Sequence, residues 1–139
     1  MKIKNLNNLN SYSDERGKIQ MILESIDIGS VSRIESITDS TRANHWHKND
    51  THWILVNSGQ IEYYEREVGS DRCPDKYVLN VGDMIFTEAG WEHTMYFTCD
   101  TVFECYSKLK RTSENYENET VRFAYSLRDI YDQSHQENK

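Results

Sequence analysis

The feature that most constrains the fold is punctuation. From Lys18 to Ser107 the chain is a series of short apolar or alternating segments, each closed by a turn signal. Asp14-Glu15-Arg16-Gly17 precedes Lys18 to Glu24, and Asp27 to Ser30 precedes Val31 to Thr38. Asn57-Ser58-Gly59-Gln60 joins His52 to Val56 with Ile61 to Glu67, as a hairpin turn would. Gly82-Asp83, Ala89-Gly90 and Cys99-Asp100 separate Tyr77 to Val81, Met84 to Thr87, Thr94 to Thr98 and Thr101 to Ser107. Many short strands with no sustained helical period predict an all-β antiparallel sandwich or barrel. A single domain accommodates all 139 residues. Its barrel core is expected over about 14–110, and 111–139 reads as a short irregular or helical tail. In that tail Val121-Phe123-Tyr125 alternates as a strand would, and Leu127 to Tyr131 has the look of a helical turn.

Charge and cysteine usage narrow the function classes. A net charge of −7 argues against a nucleic-acid partner, which needs a basic face. A local group of arginines or a metal can still invert the field inside a cleft and admit an anionic small molecule. No apolar run approaches the roughly 20 residues of a membrane span, and the start lacks an apolar core of signal-peptide length. Cys73, Cys99 and Cys105 are odd in number and have no ligand-like spacing. A reducing, cytoplasmic setting without a disulfide framework is the expectation.

The chemistry concentrates in Arg42 to Gly59. This stretch holds His45, His47 and His52, three of the five histidines, and His93 follows in a second Gly-flanked segment. A single histidine would be read as a hydrogen-bonded structural residue. His-x-His on a strand is different, because side chains of alternate residues share one face, so His45 and His47 project together and Trp46 points away. A bend or bulge in Lys48-Asn49-Asp50-Thr51 would return His52 to the same cavity. Three or four converging imidazoles suit Zn, Fe, Ni or Cu.

These spacings carry a resemblance. His45-x-His47, four residues to His52 and six to Gly59 resembles the first motif of the cupin superfamily. Gly82, five residues, Glu88-Ala89-Gly90, two residues and His93 resembles the second. The resemblance implies a double-stranded β-helix, or jelly-roll barrel, holding one divalent transition metal at its mouth. The matching ligands are His45, His47, His52 and His93, with Zn the leading metal and Fe, Ni, Cu or Mn the others. Two departures stand out: His52 replaces the usual Glu of the first motif, and Glu88 and Phe97 replace the usual Pro and closing Asn of the second. An all-imidazole shell is neutral, so the metal would keep its +2 charge, favouring an anionic or enolate-like oxygen and disfavouring hard cations.

A narrower resemblance points to sugar chemistry. Arg42-x-x-His45-x-His47-Lys48 is similar to a stretch of nucleotide-sugar 3,4-ketoisomerases. Asp14-x-Arg16-Gly17 resembles those enzymes and the dTDP-4-dehydrorhamnose 3,5-epimerases, and Ser58 to Gly69 is similar to cupins of that sugar-modifying kind. This implies proton transfer next to a sugar ketone in polysaccharide biosynthesis by a histidine base, with no metal required. It also implies an anionic sugar or nucleotide-sugar held by Arg and aromatic groups, and a homodimer.

Candidate roles follow for individual residues. His45 or His47 is a candidate base in a metal-free site, and Tyr63, Tyr64, Tyr96 and Tyr106 are candidate acids, with His45, Tyr63 and Tyr106 placed first. Arg42 and Lys48 flank the histidines and suit a phosphate or carboxylate. Trp53, Trp91 and Tyr96 are expected to wall the substrate pocket. Glu92 should face away from His93 by alternation, and Cys105 reads as a buried thiol. A mononuclear non-haem oxygenase with an all-histidine site and a non-catalytic ligand-binding cupin are the alternatives to an isomerase or epimerase.

Overall fold

The computed structural model describes residues 2–136 as an antiparallel jelly roll with two C-terminal helices. In chain order the elements are β1 (Ile3–Asn5), β2 (Ser11–Asp14), β3 (Gly17–Gln20), β4 (Ser30–Ser36), β5 (Thr41–His47), β6 (His52–Ser58) and β7 (Gln60–Glu67). There follow β8 (Asp75–Asn80), β9 (Asp83–Thr87), β10 (Trp91–Phe97), β11 (Thr101–Ser107), α1 (Ser113–Glu119), β12 (Thr120–Arg122) and α2 (Leu127–Gln136). One five-stranded sheet has the order β1-β9-β6-β11-β4 and the other β12-β5-β10-β7-β8. Most steps from β4 to β11 cross from one sheet to the other, which makes the barrel a double-stranded β-helix. β2 and β3 form a separate hairpin. No helix among the described residues is long and apolar enough to cross a membrane.

The two inner faces meet in a core of Ile54, Val56, Ile85, Phe103 and Cys105 from the first sheet against Ile61, Tyr63, Leu79, Met95 and Phe97 from the second. Burying each large apolar side chain contributes roughly 1.5–3 kcal/mol. Phe97 and Phe103 stack across the sheets with ring centroids 5.8 Å apart. Strand alternation explains the pattern in β11, where Thr101, Phe103, Cys105 and Ser107 are buried and Val102, Glu104 and Tyr106 lie on the other face. Gly59 closes the β6–β7 hairpin at φ +88°, and a Cβ there would lie 2.5 Å from the Asp100 carbonyl oxygen, so only glycine fits.

The barrel recruits more of the chain than 14–110. β1 pairs with β9, and β12 pairs with β5 beside the histidines. The stretch read as one strand from Lys18 to Glu24 pairs only as far as Gln20. The polar run before Thr120 contains α1, and the strand expected over Val121 to Tyr125 is Thr120–Arg122.

Candidate metal and substrate site

The site begins with a bulge. His93 pairs with His45 and Thr94 with Ala43, which leaves Asn44 as an extra residue in β5. Ala43 and Asn44 both take positive φ, 73° and 55°, an unusual conformation for a residue with a side chain. Asn44 is held from two sides: its side-chain oxygen accepts from Thr94 Oγ1 at 2.7 Å, and its carbonyl accepts from Phe123 N at 3.0 Å. Beyond the bulge His45 and His47 both turn into the barrel, and His93 meets them from β10.

His45, His47 and His93 are buried, and their potential ligand nitrogens lie within 4.8 Å of one another. Ring centroids are 4.7 Å apart for His45–His47 and 4.6 Å for His45–His93. His93 Nδ1 donates to the Trp91 carbonyl oxygen at 3.3 Å, which leaves Nε2 with its lone pair free. His47 Nδ1 lies 3.4 Å from Thr120 Oγ1, and its buried Nε2 has no hydrogen-bond partner. His52 is also buried, with its ring 5.6 Å from those of His47 and His93, but it stands outside the three-nitrogen group.

Desolvation drives these imidazoles toward the neutral form. It takes His93 from 6.5 to about 3, reinforced by the neighbouring His47. It also lowers His52 well below its ordinary value, with His93 and His47 adding to the effect. His45 falls for the same reasons, burial first and then His93, His47 and His52, and burial lowers His47 although Asp50 acts in the opposite direction. Neutral imidazoles keep the lone pair that a metal needs.

Above the histidines lies a cavity of about 440 Å³, lined by His45, His52, His93, Arg42, Arg111, Tyr116 and Arg122 together with apolar groups from the core. Among the described residues three arginines and no carboxylate line it, in a chain of 23 acidic and 16 basic residues. Arg42 is held toward β4 by bonds to Ser36 Oγ at 2.7 Å and the Glu35 carbonyl at 2.8 Å. The Arg111 and Arg122 guanidinium groups lie 5.1 and 5.5 Å from the Tyr116 ring centroid, and that ring stands 6.3 Å from both His45 and His47. Arg122 also pairs with Glu117 at 3.1 Å.

Several residues expected at the pocket lie elsewhere. Tyr63 is fully buried beneath His93, stacked on it at 6.1 Å, with its hydroxyl bonded to Thr87 Oγ1 and its proton held more tightly by burial. Tyr64, on the opposite face of β7, bonds Glu62 and packs against Tyr131 of α2. Tyr106 sits on the outer face of β11, bonded to Glu104, because alternation gives the inner face to Cys105. Trp53 likewise packs outside on Phe86 and Lys4, opposite in parity to His52. Trp91 lies between Lys2 and Arg72, Tyr96 bonds Asp39 under the Arg128 guanidinium, and the Lys48 side chain is exposed at the end of β5. Arg42 and His45 do line the cavity. Sequence reasoning does not reach Arg111, Tyr116 or Arg122. The basic run Lys108-Leu109-Lys110-Arg111 was the only local signal, and nothing in it shows that the tail folds back over the histidines.

No family model matches the sequence, and no curated protein matches it. Solved structures do. A 3,4-ketoisomerase from Helicobacter canadensis superposes with a TM-score of 0.70 at 18% identity, over 96% of this chain and 97% of that one. A dTDP-4-dehydrorhamnose 3,5-epimerase from Sulfolobus tokodaii gives 0.67 at 17% identity, over 84% and 74%. The capsular polysaccharide assembling protein CapF from Staphylococcus aureus gives 0.64 at 22%, over 84% of this chain and 33% of that one. The chain therefore spans about a third of the length of CapF. At these identities the likeness establishes the cupin-type jelly-roll fold.

Proposed function

We propose that this protein is an isomerase or epimerase that moves a proton next to the carbonyl of an anionic, nucleotide-linked keto sugar. The carrying observation is the composition of the cavity, in which neutral imidazoles stand beside three arginines and no carboxylate is among the described lining residues. A base there removes the proton from the carbon next to the carbonyl, and the electron pair becomes an enediolate. Positive charge nearby stabilises that oxyanion, and an acid returns a proton to the same carbon from the other face or to its neighbour. No oxidant is consumed. The 3,4-ketoisomerase and 3,5-epimerase that share the fold support this reading.

The donor set also fits a divalent transition metal. His45, His47 and His93 are the residues that would hold it, because their nitrogens converge and the buried His47 Nε2 has no other partner. Three neutral imidazoles suit Zn first, then Fe, Ni or Cu, with Mn less well matched to a shell without carboxylates. Bound there, the metal would polarise a carbonyl oxygen as a Lewis acid. His52 lines the same cavity outside the three-nitrogen group, so it is the imidazole left free to take the proton. Tyr116, whose ring stands 6.3 Å from that of His45 and lines the cavity, is the acid that returns it.

The test is proton NMR in D2O with a TDP-linked 4-keto sugar. The expected result is deuterium incorporation beside the carbonyl together with a new isomer, and loss of both in His52→Gln. Absence of exchange with any nucleotide-linked or acidic keto sugar overturns the proposal. A second reading, an oxygen-activating iron site, draws on the same three-imidazole set, and substrate-dependent oxygen uptake by iron-loaded protein would favour it.

A further inference from the structure

The step between β5 and β6, Lys48-Asn49-Asp50-Thr51, decides how far His52 stands from His47. Three consecutive backbone N–H groups of this step converge on one residue of the tail. Lys48 N donates to the Glu119 carbonyl oxygen at 3.0 Å. Asn49 N and Asp50 N donate to Glu119 Oε2 at 2.7 and 3.0 Å, and Asn49 Nδ2 donates to Oε1 at 2.8 Å. The bond to Asn49 holds the Glu119 carboxyl below its ordinary range. The same step is fastened from its other side, where Asp50 Oδ1 accepts from Leu109 N at 3.0 Å and the Thr51 carbonyl accepts from Lys108 N at 3.0 Å.

We infer that Glu119 is a positioning residue, which fixes the spacing of His47 and His52 by binding the backbone between them. The inference rests on the reading that these histidines form the working centre. Glu119 does not line the cavity, so it acts through the loop. Its neighbour Thr120 pairs with His47 in the sheet and approaches its Nδ1, so the end of α1 and the start of β12 grip one imidazole and the loop leading to the other. Charge-assisted bonds of a carboxylate to N–H groups are the strong kind, and supporting groups around metal ligands typically carry about 10- to 100-fold of metal affinity.

The experiment compares wild type, Glu119→Ala, Glu119→Gln and Glu119→Asp by imidazole proton–carbon NMR and by Co²⁺ titration. In Glu119→Ala the His47 and His52 resonances should shift while those of His135, on α2, stay in place. Co²⁺ affinity should fall by about 10-fold or more with a changed d–d spectrum. Glu119→Asp should recover part of both effects. Should Glu119→Ala fail to fold, Glu119→Gln keeps one acceptor and is read in the same way. Wild-type resonances for His47 and His52 in the folded variants overturn the inference. Wild-type protein that binds no Co²⁺ would sink the metal reading alone, since the NMR comparison needs no metal.

Discussion

Two concavities among the described residues differ in kind. The larger, about 750 Å³, is a mainly apolar groove beside the N-terminal segment, lined by Ile3, Leu9, Met21, Ile22, Leu23, Ile26 and Trp53 together with Lys4, Glu24 and three asparagines. The smaller, about 440 Å³, is the histidine cavity. By size and greasiness the groove would be the default ligand site. Yet only Lys4 and Glu24 among its lining residues carry charge, and no titratable groups converge there. The histidine cavity concentrates imidazoles driven neutral by burial together with three arginines. Chemistry follows the convergence of such groups more closely than it follows volume.

The sharpest way to break this contrast is to remove His93, the imidazole proposed as a ligand from the second motif. His93→Ala is expected to lose stoichiometric metal, with a fall in Zn affinity of more than about 100-fold, measured by elemental analysis and competition with a chelator. Retained stoichiometric metal would dissolve the distinction between the two cavities.

Next in size is the core floor beneath the histidines. Phe103→Ala should cost about 3–5 kcal/mol by urea denaturation, since it leaves a void where two sheets interlock. A loss below about 1 kcal/mol would mean that the floor is already loosely packed.

The acid response should map to the histidine end. His93 has a folded value of about 3 against 6.5 when exposed, so the native state holds it neutral while the unfolded state binds the proton. Its contribution is therefore full above about pH 6.5 and is progressively lost as pH falls from 6.5 toward 3. Thermal melts across that range should show falling stability, with added Zn opposing the fall at pH 6. A flat profile there counts against buried neutral imidazoles.

A smaller effect is expected from the rim. Arg111→Gln should raise KM by roughly 10-fold with kcat little changed, the outcome expected of a group that binds the proposed substrate away from its reacting carbon. An equal fall in kcat would move Arg111 into the reacting centre. Smallest of all, Met21→Glu in the apolar groove should leave metal content and turnover as in wild type. Loss of either would make the groove part of the site.

What the sequence determined by itself is local. Period-two alternation and turn residues specified an all-β barrel, placed His45 and His47 on one face, and left Trp46 on the other. Parity would also have turned Trp53 and Tyr106 outward, since each follows an inward-facing neighbour, His52 and Cys105. Closure of the barrel decided the rest. The bulge at Ala43 and Asn44 aims His45 at His93, and it arises from pairing β5 with β10 about fifty residues away. The separation of His52 from the other three, and the return of Arg111, Tyr116 and Glu119 to the histidines, depend on contacts such as Asn49 to Glu119, 70 residues apart. No local pattern encodes such contacts, because the free energy that holds them comes from burying a core shared by both sheets. The sequence named the imidazoles, and the fold assigned them unequal places.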